Sequence, residues 1–276
     1  MQHRVFKILG FSALLVIFVF ASIYNCLIII NAGFDYRIVI KSCPITTLIL
    51  LVFSYMCVYR VTIYSSIILM SLHLCLFGDI FIGLYDPSAS YIAKNEMTYF
   101  IVGGSCFFIA RMLFGLAFVI KPYKKFSVII HPWKKLLLSH LICVIPFTIL
   151  GILNILRMVS FVNIAIFVYV FFGFGFQLSY AYLRINSDLE ESKWSSIFGF
   201  IGMFLFNISD ILLFISMYTD WVPIYVMPIS DNIYWAAIYL ISISVVRSPY
   251  EQIEMGKHYI PISTSIICSG DEIEEF

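Results

Sequence analysis

Residues Val61 to Leu84 read VTIYSSIILMSLHLCLFGDIFIGL, an apolar run that decides the class of fold. At 1.5 Å per residue in a helix, a run of this length crosses the hydrocarbon core of a bilayer, which is about 30 Å thick. Similar runs recur along the chain and predict eight membrane-spanning helices. The predicted spans are residues 8–30, 38–59, 61–84, 98–120, 136–156, 159–183, 195–218 and 232–247.

The composition agrees with a membrane protein. Of the 276 residues, 62% are hydrophobic and 12% are charged, whereas about 25% of the residues of a soluble domain are charged. The runs are continuously apolar and lack the alternation of polar and apolar residues that is typical of transmembrane β-strands. The predicted fold class is therefore all-α, a polytopic helical bundle.

The distribution of lysine and arginine predicts the orientation of the bundle. With an even number of spans both termini lie on one side, and twelve basic residues belong to that side while Arg37, Lys94 and Arg157 belong to the other. The twelve are Arg4, Lys7, Arg60, Lys121, Lys124, Lys125, Lys134, Lys135, Arg184, Lys193, Arg247 and Lys257. Because cytoplasmic loops carry an excess of Lys and Arg, both termini are predicted to be cytoplasmic.

The bundle is predicted to occupy residues 1–247, followed by a flexible acidic cytoplasmic tail at 248–276. The tail ends in SGDEIEEF, and Pro249 and Pro261 interrupt any helical continuation. The seven cysteines show no paired spacing typical of a metal site. No metal, cofactor or nucleic-acid partner is expected.

Ionisable side chains inside the predicted spans are the candidates for a functional site. A charged residue at the bilayer centre costs about 2.5 to 3.5 kcal/mol on insertion scales, and such residues usually face a bundle interior or a wet cavity. Here they are Lys41, His73, Asp79, Arg111, His140 and Asp210. Two acids and two bases among them could neutralise one another, so purely structural ion pairs stand as the alternative to a functional site.

Four of these residues can meet in the non-cytoplasmic half or centre of the bundle, namely Lys41, Asp79, Arg111 and Asp210. Asn207 lies three residues before Asp210 and therefore shares its helix face. His73 projects about 120° away from Asp79 on the same helix and is more typical of a core histidine. His140 lies near the inner end of its span.

The two aspartates sit in similar surroundings. Residues 77–81 read FGDIF and residues 208–212 read ISDIL, and the two segments lie four predicted spans apart in helices that run in the same direction. If the chain consisted of two parallel repeats of four helices each, Asp79 and Asp210 would lie face to face near a pseudo-two-fold axis along the membrane normal.

Several short motifs follow the order and spacing of a known family. They are KSCP at 41–44, LFGDIFIGL at 76–84, FFIARMLFGLAF at 107–118, GMFLFNISDILLF at 202–214 and DNIYWAAIYLISIS at 231–244. In this order the chain resembles the lysoplasmalogenase family of eight-helix membrane proteins, also called the YhhN-like family. The resemblance extends from about Lys41 to Ser244.

The resemblance implies an enzyme of the endoplasmic reticulum membrane that hydrolyses the vinyl ether bond of lysoplasmalogens. The products are a fatty aldehyde and glycerophosphocholine or glycerophosphoethanolamine. The paired catalytic aspartates of the family correspond to Asp79 and Asp210, its lysine to Lys41 and its late tyrosine to Tyr234. Arg111 and Asn207 join Lys41 and Tyr234 as candidate substrate-binding residues.

The chemistry requires a proton on the β-carbon of the double bond and a water molecule that captures the resulting oxocarbenium ion. Glycosidases divide such work between two carboxyl groups. Burial of two neighbouring carboxyl groups favours protonation of one of them. Either Asp79 or Asp210 could therefore be the acid, while the other stabilises positive charge or activates water.

The chain departs from the family pattern in two spans. Span four has Arg111 and Phe114 where the family usually has a histidine and a tyrosine, and span eight has Ile238 where the family usually has glutamine. Arginine stays cationic near neutral pH and cannot deliver a proton. These departures favour a rival interpretation, a catalytically inactive member that binds or senses lipid, or a small transporter. Either way, the expected partners are membrane lipids and a lysophospholipid or ether lipid.

Overall fold

A computed structural model describes residues 2–29, 34–59, 61–84, 93–119, 175–187, 193–218 and 226–246, with residues 134, 137, 138 and 141. Within those ranges the chain forms seven helices and no strand. They are α1 (Gln2–Ile29), α2 (Phe34–Val58), α3 (Ile63–Gly83), α4 (Ala93–Val119), α5 (Gly175–Ser187), α6 (Lys193–Tyr218) and α7 (Val226–Val246).

All of the long helices are apolar enough to cross a membrane. The six candidate spans are Ile8–Leu27, Ile38–Val58, Ile63–Gly83, Thr98–Val119, Lys193–Leu213 and Pro228–Val246. The all-α, multi-pass fold class is therefore confirmed. Most of the predicted spans at 136–156 and 159–183 and the whole tail at 248–276 lie outside the described residues. The count of eight spans and the side of the termini stay predictions.

Local sequence explains where two of the helices begin. The Thr62 hydroxyl accepts a hydrogen bond from the Ser65 N–H, and the Ser65 hydroxyl accepts one from the Thr62 N–H, both at 3.0 Å. This capping box satisfies two N–H groups at the start of α3. Helix α7 begins at Val226, ahead of the predicted start at residue 232. Pro228 fits its first turn because N–H groups there need no helical acceptor.

Helix α7 is central to the described bundle. It packs against α1, α2, α3 and most extensively against α6. The Ser209 hydroxyl donates to the Ser230 carbonyl oxygen at 3.0 Å, and the Ser230 hydroxyl donates to the Ser209 carbonyl oxygen at 2.7 Å. Because these serines directly precede Asp210 and Asp231, the reciprocal bonds fix the relative positions of both carboxyl groups.

Two glycines allow neighbouring helices to approach closely. A Cβ atom at Gly103 would lie 2.7 Å from the Ile82 side chain and 3.1 Å from the Gly78 carbonyl oxygen. A Cβ atom at Gly202 would lie 2.8 Å from the Ala237 carbonyl oxygen. The seams between α3 and α4 and between α6 and α7 therefore depend on these residues.

Candidate active site

Every described helix contributes a buried polar side chain to one connected group, here called the polar centre. Its members are Tyr24 of α1, Lys41 of α2, Cys75 and Asp79 of α3, Arg111 of α4, Gln177 of α5, Asn207 and Asp210 of α6, and Asp231 and Tyr234 of α7. The polar centre holds three carboxyl groups and two cations. Burial makes such charges costly unless they are paired or neutralised.

Arg111 connects α4 to α6. It is fully buried, and its Nη1 donates to Asn207 Oδ1 at 2.7 Å while its Nη2 donates to the Phe206 carbonyl oxygen at 3.3 Å. The same Nη2 forms a salt bridge with Asp210 Oδ2. The guanidinium carbon also lies 3.9 Å from the centroid of the Phe206 ring. These contacts hold the Asp210 carboxylate in one orientation between α4 and α6.

Gln177 adds α5 to this arrangement. Its Nε2 donates to Asn207 Oδ1 at 2.5 Å, so that oxygen accepts hydrogen bonds from both Gln177 and Arg111. Asn207 Nδ2 and Gln177 Oε1 are buried and have no hydrogen-bond partner among the described residues. They are available to a polar group of a bound molecule.

A second ion pair joins α2 to α7. Lys41 Nζ lies 2.8 Å from Asp231 Oδ1, and both side chains are buried. Tyr24 of α1 interacts with both members of the pair. Asp231 Oδ2 is buried and has no hydrogen-bond partner among the described residues. Lys41 therefore pairs with one oxygen of this carboxylate, and the other oxygen forms no hydrogen bond of normal geometry with a described residue.

Asp79 differs from the other two aspartates. It is 3% exposed, it forms no salt bridge with any described residue, and its Oδ2 has no hydrogen-bond partner among them. The charges of Lys41, Asp231 and Asp210 act on it, in decreasing order of strength. The Tyr234 hydroxyl lies beside Asp79 and Cys75 without a hydrogen bond of normal geometry.

Three aromatic rings connect the surroundings of Asp79 to those of Arg111. The Phe206 ring centroid lies 5.2 Å from that of Tyr234 and 6.4 Å from that of Phe107. Phe107 also contacts Tyr234 edge-on, with centroids 5.8 Å apart. The polar centre is thus bordered by an apolar wall of the kind that an aliphatic chain can contact.

The structure places all six predicted site residues in the polar centre. Lys41, Asp79, Arg111, Asn207, Asp210 and Tyr234 are each buried. The charges of Asp79 and Asp210 interact, yet no hydrogen bond joins the two side chains. Helices α3 and α6 each pack against α7 and share no extensive backbone contact with each other. A direct face-to-face contact of the two aspartates is therefore not seen.

The two histidine candidates do not join this group. His73 is exposed, and its Nδ1 lies 2.8 Å from the Leu69 carbonyl oxygen one helical turn earlier. His140 lies outside the described residues. The expectation that two buried acids and two buried bases neutralise one another is incomplete, because Asp231 adds a third carboxyl group to the polar centre.

The sequence contained a signal for Asp231 that the predicted span boundary concealed. Asp231 precedes Tyr234 by three residues, a spacing that places both on one helix face once the helix is known to begin at Val226. Tyr24, Cys75 and Gln177 carried weaker signals, because single polar or sulfur-containing side chains are common in apolar helices.

The opposite end of the bundle holds another buried cation, Arg184. The sequence places it in a cytoplasmic loop after a span that ends at residue 183, but α5 continues to Ser187 and Arg184 is fully buried. Its guanidinium carbon lies 4.3 Å from the Tyr64 ring centroid and 5.5 Å from that of Phe118. The Tyr64 hydroxyl shares a hydrogen bond of 2.8 Å with Ser244 Oγ. This cluster ties α3, α4, α5 and α7 together.

Comparison with known proteins agrees with the arrangement of these helices. The YhhN family model matches residues 36–245, which run from the start of α2 to the end of α7 and include most of the polar centre. No curated protein and no solved structure gives a significant match to the chain. The chain belongs to the YhhN family, which includes lysoplasmalogenases.

Proposed function

We propose that the protein is an intramembrane hydrolase that cleaves the vinyl ether bond of lysoplasmalogens. The products are a fatty aldehyde and glycerophosphocholine or glycerophosphoethanolamine. Family membership supports the reaction class, and the membrane-spanning helices support a substrate that approaches from the lipid phase. As part of the same proposal, the protein resides in the endoplasmic reticulum membrane.

One observation carries the proposal, namely that Asp79 is buried without an ion pair to any described residue, while Asp210 and Asp231 are each paired with a cation. Among the described residues, three carboxyl groups and two cations leave one carboxyl group of the polar centre without a counter-ion, and in an apolar site that group is least costly as the neutral acid. A neutral carboxylic acid is what protonation of a vinyl ether requires. Asp79 is therefore the acid of the proposed reaction.

In the proposed reaction, the Asp79 carboxyl group transfers its proton to the β-carbon of the vinyl ether. The α-carbon and the ether oxygen then share the positive charge of an oxocarbenium ion, which the Asp79 carboxylate and the nearby Asp210 stabilise. Water attacks the α-carbon and gives a hemiacetal. Collapse of the hemiacetal breaks the bond to the glycerol oxygen, which takes a proton and leaves as the alcohol, while the aldehyde remains.

The surrounding residues have separate roles in this proposal. Tyr234 lies beside Asp79 and orients the carboxyl group toward the substrate. Arg111 and Asn207 bind polar atoms of the substrate, and the free Nδ2 of Asn207 is a donor for a phosphate or glycerol oxygen. Lys41 acts as the counter-ion of Asp231. The rings of Phe107, Phe206 and Tyr234 contact the start of the alkenyl chain.

The test is aldehyde release from a lysoplasmalogen by the purified protein in lipid or detergent. Wild-type protein is expected to release aldehyde, and Asp79→Asn is expected to reduce the rate by about 10²- to 10⁴-fold, which is the usual contribution of a general acid. Equal rates for wild-type protein and Asp79→Asn would exclude Asp79 as the acid. No release above the Asp79→Asn/Asp210→Asn background would refute the activity. Co-fractionation with endoplasmic reticulum markers tests the location.

A second candidate function is a catalytically inactive member that binds or senses lipid, and the contacts of Arg111 favour it. Arg111 occupies the position where the family usually has a histidine, and it holds Asp210 in a buried salt bridge. The variant Arg111→His separates the two candidates. A gain of aldehyde release in an otherwise inactive protein points to an enzyme that lost its activity at this position. Lipid binding that persists in both aspartate variants, without release from any variant, supports the binding function.

A further inference from the structure

We propose that Asp231 is the carboxylate that binds and activates the attacking water, a role separate from that of Asp210. The inference deepens the proposed function and rests on it. It assigns a catalytic role to a residue outside the pair of aspartates that the family resemblance predicts.

The first step of the argument is the state of the two candidate carboxylates. Asp210 is held by Arg111, which also binds Asn207 and the Phe206 carbonyl oxygen, so its orientation is set by that cation. Asp231 uses Oδ1 in its salt bridge with Lys41, and its buried Oδ2 accepts no hydrogen bond of normal geometry from a described residue, with the Tyr24 hydroxyl beside the carboxylate. A buried oxygen of this kind normally has an ordered water or a ligand as its partner.

The second step is position. Asp231 precedes Tyr234 by one helical turn on α7, and Tyr234 lies beside Asp79, so Asp231 and Asp79 border the same part of the polar centre. Asp79 Oδ2 and Tyr234 Oη are also buried without a hydrogen-bond partner among the described residues. Donors and acceptors together suit a water molecule, which needs two to four polar partners.

The third step is the charge of the site. Asp231 is the carboxylate of a salt bridge with Lys41 at 2.8 Å, and its Oδ2 can accept a proton from water as the oxygen of that water bonds to the α-carbon. The proton then passes from Asp231 to the departing glycerol oxygen. The hemiacetal hydroxyl returns a proton to Asp79 as the aldehyde forms. Both carboxyl groups regain their starting states, and the net reaction consumes one water molecule.

The test must separate a catalytic role of Asp231 from the simpler role of neutralising Lys41. Asp231→Asn leaves Lys41 buried without its counter-ion, so the informative variant is Lys41→Met/Asp231→Asn, which removes both charges together. Ser242→Ala is the matched control, because Ser242 is buried toward the other end of the same helix, where its hydroxyl donates to the Ile238 carbonyl oxygen at 2.9 Å. Thermal unfolding in detergent verifies that each variant is folded.

The expected result is a kcat at least 100-fold below wild type in the folded double variant, consistent with loss of a general base. Ser242→Ala should retain a kcat close to that of wild type. Recovery of wild-type kcat in the double variant would show that Asp231 serves only to neutralise Lys41, and would overturn the proposal.

A binding experiment decides the matter even if no variant releases aldehyde. The probes are two stable single-chain glycerophospholipid analogues in which a methylene replaces the ether oxygen, one of them with a hydroxyl group on the adjacent carbon to mimic the hemiacetal. Wild-type protein and Ser242→Ala should bind the hydroxylated probe about tenfold more tightly, as for a hydrogen bond to a charged group. Lys41→Met/Asp231→Asn should lose that preference. Equal affinities of the wild-type protein for both probes would overturn the role of Asp231, whereas a preference without aldehyde release would refute the activity alone.

Discussion

Lys41 Nζ and Asp231 Oδ1 lie 2.8 Å apart and join the second described helix to the last. This contact and the Arg111–Asp210 salt bridge are the two ion pairs of the polar centre. Each pair joins two helices that lie far apart in the sequence. The charges are therefore neutralised only in the assembled bundle, and the variants of the three aspartates should differ in predictable ways.

Replacement by asparagine should destabilise the protein to a different extent at each of the three aspartates. Asp210→Asn and Asp231→Asn each leave a buried cation without its partner, and each should lower the free energy of unfolding by about 3–5 kcal/mol. Asp79→Asn breaks no ion pair with a described residue and should change the free energy of unfolding by no more than about 1 kcal/mol. Unfolding in mixed detergent micelles provides the measurement. A large loss for Asp79→Asn would indicate an ion pair that the structure does not show.

Removal of the Tyr234 hydroxyl should affect activity more than stability. Tyr234 lies beside Asp79, but its hydroxyl makes no hydrogen bond with a described residue, so Tyr234→Phe should reduce aldehyde release by about 10²-fold with little change in unfolding. Tyr64→Phe is the matched control. It removes a bond to Ser244 at the other end of the bundle and should cost about 0.5–1.5 kcal/mol while the activity per folded molecule is kept. A loss of stability without a loss of activity in Tyr234→Phe, and the reverse in Tyr64→Phe, would contradict the proposed role of Tyr234.

Two adjacent glycines of α4 should respond differently to alanine. At Gly103 a Cβ atom would meet α3 at 2.7 Å, whereas at Gly104 no atom lies within 4 Å. Gly103→Ala should lower the free energy of unfolding by about 1–3 kcal/mol because the helices must separate. Gly104→Ala should be neutral or stabilise the helix by up to about 1 kcal/mol. Equal effects would show that the α3–α4 seam is looser than described.

The predicted orientation can be tested at the short connection between α2 and α3. Val61 lies there and is 64% exposed. A Val61→Cys variant, in a background without the native cysteines, should react with a membrane-impermeant maleimide in sealed microsomes, whose outer face is cytoplasmic, because that connection is predicted to face the cytoplasm. Labelling only after the microsomes are permeabilised would reverse the predicted topology and place the polar centre near the cytoplasmic face.

Much of the bundle could be predicted because hydropathy alone specifies where apolar helices lie. The same argument found Lys41, Asp79, Arg111 and Asp210, since a charge in such a run is conspicuous. It was harder to predict which of these charged residues form ion pairs with one another, because this depends on which helices pack together. Arg111 reaches Asp210 across from α4 to α6, and nothing in the local sequence of either helix specifies that contact.

Asp231 shows why a boundary error hides a functional candidate. A span predicted to start at residue 232 leaves Asp231 at the water interface, where a carboxylate needs no partner. In the structure α7 begins a turn and a half earlier, and the same carboxylate is buried against Lys41. Arg184 was misplaced for the corresponding reason at the end of α5. Charges near span ends are therefore the residues that hydropathy assigns least well.

The central position of α7 also bears on how the protein is assembled in the membrane. Helix α7 follows the other described helices in the chain, so Lys41 enters the bilayer well before Asp231 has been synthesised. Until then the lysine must remain hydrated or extend to the interface, which holds α2 in a shallow or tilted position. Helix α7 supplies the counter-ion, so a chain that stops before α7 lacks both the partner of Lys41 and the helix that packs against α1, α2, α3 and α6.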